Sequence, residues 1–227
     1  MSLNIGLLVI ATNKYIKFTF PLWESAKKHF LRNHQVTMFV FTNMPEVPAE
    51  TVRIEQAHME WPKTTLLRHH VFLNNRSAIE GMDYLFYSDA DMLCVDTIGD
   101  EVLGDLVGTL HPGFYNKSRA EFSYETRPES TAYIPPNEGT SYFAGGFYGG
   151  KKDAYLRMAE TVRNNIDTDT QKGITAVWHD ESHWNKYLTK NPPTVILSPS
   201  YCYQESANLP FTKRLLALDK NHAEMRS

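Results

Sequence analysis

Two aspartates two positions apart, Asp89 and Asp91, follow directly on the apolar run Tyr84-Leu85-Phe86-Tyr87-Ser88. In an extended segment residues i and i+2 point to the same side, so two carboxylates leaving a strand in this way face one point, and one cation can satisfy both. Hard divalent ions such as Mn²⁺ or Mg²⁺ prefer carboxylate oxygens, take one or two from a protein, and fill their remaining positions with water and substrate phosphate. The implied substrate carries a diphosphate. Asp-x-Asp alone is short and common, and is more often a pair of solvated loop carboxylates. Its place at the end of a buried strand gives it weight, because ligands of open α/β sheets bind beyond the carboxyl ends of the strands.

The second concentration of reactive side chains is Trp178-His179-Asp180-Glu181-Ser182-His183, at the start of an expected helix. Free N–H groups and the partial positive charge of a helix N-terminus favour ionised carboxylates, so Glu181 is expected to be an anion at neutral pH. The plainer alternative is that Asp180 only caps the helix while Trp178 packs. His179 and His183 form an i, i+4 pair that suggests zinc; the metalloprotease pattern, however, has Glu directly after its first His, whereas here Asp180 intervenes. Lys14, Arg68, Lys220 and Arg226 are candidate partners for a diphosphate. Gly113, Gly145, Gly146, Gly149 and Gly150 serve either turns or the room a sugar needs.

These groups must be positioned by regular elements. Asn4 to Ala11 reads as a buried strand, Thr12 to Tyr15 as a turn, Pro21 as the start of a helix carrying Leu22, Ala26 and Phe30, and Val36 to Thr42 as a second strand. That succession is a βαβ unit and predicts a mostly parallel sheet. Thr51 to Gln56 is a third strand, and Thr64 or Thr65 caps a helix presenting Leu66, Leu67, Val71 and Ile79 to the core and ending at Gly81. Beyond the central strand, short apolar stretches fall around Met92 to Val95 and Leu103 to Leu110. From His111 to Ser141 periodicity fails, as in functional or mobile segments. Tyr142 to Gly150 is a glycine-punctuated strand, Lys151 to Ile166 a helix, Asp167 to Gly173 a polar connector, Asp180 or Glu181 to Leu188 a helix and Thr194 to Leu197 a late strand.

Length and composition bound the rest. With 227 residues the chain suits one α/β domain. Its net charge of −3 and scattered basic residues exclude a face that tracks nucleic acid. The run Ile5 to Ala11 is far short of the roughly 20 residues that span a bilayer. Cys94 and Cys202 match no metal spacing and suggest buried thiols in a reducing, cytoplasmic compartment. Aromatics at 12% suit carbohydrate stacking and loop packing alike.

The chain resembles glycosyltransferase family 6, the retaining α1,3-galactosyl- and N-acetylgalactosaminyltransferases that include the blood-group A and B enzymes. The resemblance runs from the first strand to the tail. It is densest in His111-Pro112-Gly113-Phe114-Tyr115, Ala132-Tyr133-Ile134-Pro135, Glu138-Gly139, Gly149-Gly150, Ala176-Val177-Trp178-His179-Asp180-Glu181-Ser182-His183 and Asn185-Lys186-Tyr187-Leu188. It implies a single domain of GT-A fold over residues 1–227, with a mobile tail from about residue 212. The implied reaction moves a sugar from UDP-GalNAc or UDP-Gal to the 3-hydroxyl of a β-galactosyl acceptor, with formation of an α linkage.

By the same resemblance Ile10, Ala11 and Tyr15 fall in the uridine-contacting turn, Arg68 is a donor-contacting arginine, and Asp89 and Asp91 hold the metal and diphosphate. His111 and Trp178 match acceptor-contacting positions, Asp180 a residue that hydrogen-bonds the donor sugar, and Glu181 the carboxylate nearest the reacting carbon. Lys220 and Arg226 match tail residues that fold over the diphosphate. Gly113, Ala144 and Gly146, with Gly145 beside them, match positions that separate galactose from N-acetylgalactosamine, and their small size favours UDP-GalNAc. Gln204 stands where the animal blood-group enzymes carry an aspartate near the acceptor, which leaves the acceptor's fucosylation open. Animal members carry an N-terminal membrane anchor not seen here, which suggests a soluble bacterial or phage-type member or a trimmed form. Many bacterial relatives replace both aspartates with asparagine and work without metal; a chain that keeps Asp89 and Asp91 is expected to need Mn²⁺ or Mg²⁺. The alternative from a different class is a sugar-binding protein on the same fold that has lost turnover.

Overall fold

Residues Ile5 to Ile10 of β1 (Asn4–Ile10) are all buried, as a central parallel strand covered on both faces requires. The structure is a computed structural model and describes residues 2–221 and 225. β1 is followed by α1 (Ile16–His29) and by β2 (Gln35–Thr42), which lies parallel to β1 with Asn4 opposite Gln35 and Ile10 opposite Phe41. The expected βαβ unit is therefore present, but α1 does not begin at Pro21. The turn at Asn13–Tyr15 runs straight into the helix and leaves Pro21 inside it. The donor that Pro21 lacks would have met the carbonyl of Lys17, an exposed residue that water can serve instead.

β3 (Val52–Glu55) pairs parallel with β2. The single helix expected between Thr64 and Gly81 is three short ones, α2 (Lys63–Leu66), α3 (Arg68–Asn74) and α4 (Arg76–Ile79). Neither threonine caps a helix. The Thr65 hydroxyl donates to the Pro62 carbonyl at 2.8 Å and that of Thr64 donates to the Met59 carbonyl. The breaks fall at Leu67 (φ −100°, ψ 14°) and Asn75 (φ −113°, ψ 24°). Val71 and Ile79 reach the core as their spacing demands, while Leu66 and Leu67 remain half-buried beside it.

β4 (Tyr84–Ser88) lies parallel to β1 on the side away from β2. β5 (Met92–Cys94) then leaves the main sheet, and β6 (Leu106–Leu110) rejoins it. β7 (Phe143–Lys151) is inserted antiparallel between β4 and β6. A Cβ at Gly149 would stand 2.3 Å from Cδ1 of Phe86 and 2.5 Å from the Leu85 carbonyl, so only glycine lets β7 lie this close to β4. α5 (Lys152–Gln171), α6 (His179–Lys190) and β8 (Val195–Leu197) follow, with β8 parallel to β6. The result is a mostly parallel seven-stranded sheet in the order β3-β2-β1-β4-β7-β6-β8, flanked by helices.

α5 extends through most of the stretch expected to be a connector, because Asp169 is not solvated. It is buried, and its carboxylate accepts the Ser130 hydroxyl at 2.5 Å and the Thr131 N–H at 2.8 Å before Gly173, at φ +70°, ends the turn. The segment from His111 to Ser141 has little regular structure yet is well packed. Tyr124, Ile134 and Tyr142 form a small core with Phe114 and Phe122, and Arg119 lies 4.5 Å over the Tyr124 ring while donating to the carbonyls of Glu138, Ile134 and Pro135.

Two further short strands follow, β9 (Tyr203–Gln204) and β10 (Leu215–Ala217). Together with β5 they form a second sheet in the order β5-β10-β9, so part of the expected mobile tail is a strand. Arg226 lies outside the described residues. Among the described residues no helix is long and apolar enough to cross a membrane.

Candidate active site

The chain leaves β4 at Ser88, and the Asp89 N–H donates to the Gly146 carbonyl of β7 at 2.9 Å. Asp89 and Asp91 thus sit beyond the carboxyl ends of β1 and β4, where the sequence placed them. Tyr87 donates its hydroxyl to Asp89 Oδ1, and Lys220 donates its ammonium to Asp91 Oδ2. The Leu218 N–H meets the Asp91 carbonyl at 2.9 Å, which ties the strand end of the tail to the aspartate pair.

Arg68 opens α3 and is buried with three anionic or carbonyl partners. Its Nη1 donates to the Gly145 carbonyl at 2.6 Å, its Nε lies 2.9 Å from Asp180 Oδ2, and its Nη2 lies 3.8 Å from Asp89 Oδ1. The guanidinium also stacks on the Tyr87 ring, 4.0 Å from its centroid. Asp180 is thus more than a helix cap: Trp178 holds the N-cap position of α6, and Asp180, in the first turn, forms a buried ion pair. Burial pushes its carboxyl up to about 6, with Arg68 opposing the rise and Asp89 adding to it.

Glu181, one residue further, accepts the Gly145 N–H on Oε2 at 2.7 Å and the Tyr142 hydroxyl on Oε1 at 2.9 Å. Enclosure pushes its carboxyl up to about 7 even though both hydrogen bonds pull the other way. Full ionisation at neutral pH, expected from the helix N-terminus, is corrected accordingly. Removal from water outweighs the helix end. The zinc pair also separates. His183 is buried 3.8 Å from Asp169, whereas His179 packs edge-on against Trp61 with centroids 5.1 Å apart. Among the described residues no three His, Cys, Asp or Glu side chains converge on one point.

Two cavities meet at the aspartates. The larger, of about 510 Å³, is lined by Ala144, Gly145, Gly146, Glu181, His111 and Gln204, among others. The smaller, of about 220 Å³, is lined by Ile10, Tyr15, His58, Trp61 and Arg68. Asp89, Asp91 and Lys220 line both. A Cβ at Gly146 would lie 3.0 Å from Cε of Met92 and 3.2 Å from Asp89 Oδ2, so glycine there preserves space around the carboxylate. His111 is pushed down to about 4 by burial, and its Nδ1 accepts the Gly113 N–H at 3.0 Å, which leaves a neutral ring with Nε2–H as donor.

Most of the expected site residues are brought together, but four of the described ones line neither cavity, among them Asp180, which joins the site through its ion pair with Arg68. Ala11 is fully buried in the core, with its N–H on the Phe41 carbonyl at 2.9 Å, and lines neither cavity. Gly113 supports His111 from outside the cavity wall. Trp178 is 49% exposed and also lies outside the lining; its N–H donates to the Ser182 hydroxyl at 3.0 Å. The residues that sequence reasoning passed over are Tyr87, Tyr142 and Asn185, which hold the carboxylates and their frame. Tyr87 and Tyr142 read as ordinary strand aromatics; only the spacing of Asn185, four after Glu181 on one helix face, was a signal.

Two cavities joined at paired aspartates, beyond the strand ends of a mostly parallel α/β sheet, fit a glycosyltransferase of GT-A fold. The chain belongs to glycosyltransferase family 6, whose family model matches residues 1–227. Among its relatives, Histo-blood group ABO system transferase 1 of Rattus norvegicus is 38% identical over 240 residues, covering 99% of this chain and 69% of the relative. Globoside alpha-1,3-N-acetylgalactosaminyltransferase 1 of Homo sapiens is 33% identical over 241 residues, covering 100% and 70%. Alpha-1,3-galactosyltransferase 2 of Homo sapiens is 27% identical over 214 residues, covering 89% and 63%.

Proposed function

We propose that the chain is a retaining transferase that moves N-acetylgalactosamine, or galactose, from its UDP conjugate to the 3-hydroxyl of a β-galactosyl acceptor, forming an α1,3 linkage. The names of the relatives support the reaction class, and the observation that carries it is that Glu181 lines the same cavity as Asp89, Asp91 and Lys220. UDP takes the smaller cavity, with its diphosphate at the shared aspartates. The sugar takes the larger one, with Glu181 beneath it and the acceptor toward His111 and Gln204. A fucosylated, H-antigen-like oligosaccharide is the proposed acceptor. Small residues at Ala144 and Gly146 leave space for an acetamido group, which favours UDP-GalNAc.

Asp89 and Asp91 fit a hard divalent cation such as Mn²⁺ or Mg²⁺, since both are carboxylates and both line the junction of the two cavities. When bound, such an ion supplies neutralising charge to the departing diphosphate. Lys220 and Arg68 add their own cations on the same side. Glu181 stabilises positive charge developing on the sugar. Because each of its oxygens already accepts a hydrogen bond, it suits the role of an electrostatic partner to an oxocarbenium-like centre better than that of an attacking nucleophile. A glycosylated Glu181 peptide found by mass spectrometry after quenching would sink that assignment.

The testing experiment is a product assay with UDP-GalNAc and UDP-Gal, each against lactose and 2′-fucosyllactose, in Mn²⁺ or EDTA. Transfer is expected with UDP-GalNAc and the fucosylated acceptor, with at least about a hundredfold loss in EDTA. Transfer untouched by EDTA overturns the metal role and moves the diphosphate charge to Arg68, Lys220 and Arg226. UDP binding with neither transfer nor hydrolysis in any arm favours the inactive sugar-binding reading.

A further inference from the structure

β7 outruns its neighbour. Its strand pairing with β4 ends where Ser88 faces Phe147; after one more backbone bond, from the Asp89 N–H to the Gly146 carbonyl, Gly145 and Phe143 are met by side chains. The Gly145 N–H goes to Glu181 and the Gly145 carbonyl to Arg68. Phe143 is met twice by one residue: Asn185 Oδ1 accepts its N–H at 2.9 Å, and Asn185 Nδ2 donates to its carbonyl at 2.8 Å. The second Nδ2 hydrogen goes back to the Glu181 carbonyl, one turn earlier on α6, at 3.0 Å.

These bonds fix the orientation of the amide, since a flipped Asn185 would set its NH₂ against the Phe143 N–H and its oxygen against two carbonyls. Asn185 is buried, so the losses could not be made good by water. The paired donor and acceptor reproduce the two-bond exchange between facing residues of an antiparallel ladder. Phe143 lies between Tyr142 and Gly145, the two residues that hydrogen-bond the Glu181 carboxylate. One amide therefore locks the helix that carries Glu181 to the strand that cradles it.

We propose that Asn185 is a positioning residue for transfer, which sets the depth of the Glu181 carboxylate in the sugar cavity by clamping Phe143 of β7 to α6. The proposal rests on the glycosyl-transfer reading above. Loss of the clamp lets Gly145 and Tyr142 drift from Glu181, which weakens the bonds that stabilise its ionised form. Of the other titratable groups around this carboxylate, Asp180 and Cys202 also face it, and Asp180 is held by Arg68, which itself donates to the Gly145 carbonyl; a drift of Gly145 therefore also loosens a cation that favours the ionised Glu181, a change in the same direction.

The test uses Asn185→Ala and Asn185→Ser, the latter keeping a hydroxyl that reaches one Phe143 group so that a folded variant is retained. Initial rates of transfer are measured across pH 5.5 to 9, together with UDP binding by titration calorimetry. Transfer kcat is expected to fall by about 100-fold, the scale of a misplacement near 1 Å. The UDP dissociation constant is expected to stay within about threefold, since UDP sits in the other cavity. The acid limb of kcat/KM is expected to move alkaline by about half a unit or more. A limb that does not move overturns the proposal whatever happens to kcat, as does a kcat within about threefold of the unaltered chain. If the unaltered chain binds UDP but transfers no sugar, the glycosyl-transfer reading itself fails, and the inference with it.

Discussion

Glu181→Ala is expected to lower transfer kcat by about a thousandfold or more while UDP binding changes by no more than about twofold. Glu181 lines the larger cavity and not the smaller one, so on the proposed reading its loss acts on the charge that develops on the sugar rather than on nucleotide binding. Rates with the preferred donor and UDP titrations on the same protein check this; a variant that keeps a tenth of the activity removes Glu181 from the mechanism. Glu181→Gln separates activity from stability. Its amide can keep an oxygen on the Gly145 N–H and turn an N–H toward the Tyr142 hydroxyl. The carboxyl is raised from 4.5 in the reference state to about 7 in the fold. Stability from its neutral form is therefore full below pH 4.5 and is lost as pH rises through 7. The glutamine variant never ionises. It should match the unaltered chain near pH 4 and exceed it by roughly 1–3 kcal/mol at pH 8. Denaturant unfolding at the two pH values measures this, and a variant weaker at pH 8 contradicts the assigned burial.

Arg68→Met is the second large effect, and it falls on stability and activity together. Removing one member of a buried ion pair leaves the other uncompensated, at a cost of about 3–5 kcal/mol. The partner left behind is Asp180, whose carboxyl already sits at about 6 because burial outweighs Arg68. Without the guanidinium it rises further, so Asp180 is neutral across the acid range and costly only when forced to ionise. The deficit in unfolding free energy should be smallest near pH 4.5 and largest at pH 8, with UDP binding weakened at both. A deficit independent of pH would mean that Arg68 acts through its packing on Tyr87 rather than through Asp180.

Much of this was legible in the chain, for physical reasons that also mark where reading stops. The run from Ile5 to Ile10 and the βαβ succession announced a parallel sheet, and a parallel sheet fixes the end at which Asp89 and Asp91 emerge. Helix boundaries were less legible, because Pro21 looks like a start in sequence and is an interior residue once its lost donor faces solvent. Thr64 and Thr65 look like caps but donate rather than accept. The charge state of Glu181 was misjudged since a helix N-terminus is visible in sequence whereas enclosure by Tyr142 and Gly145 is not. Ala11 and Ile10 are neighbours of one type, and only the pleat decides that Ile10 lines the smaller cavity while Ala11 lies in the core.

The larger cavity has two walls of different origin. Asp89, Gly145, Gly146 and Glu181 belong to the main sheet and its helices, and any change there disturbs β7, Arg68 or the Asn185 clamp. The facing wall, with Gln204, Ser206, Ala217 and Leu218, comes from the small sheet and the segments that leave it. Mutational tolerance is therefore divided across a single cavity. On the proposed reading, the half that takes the reacting sugar is bound to the folding core and resists variation, whereas the half toward the incoming glycan sits on short peripheral strands. Libraries randomised at Gln204 and Ser206 should yield folded proteins at high frequency, and this is the wall from which new acceptor preferences are most readily evolved.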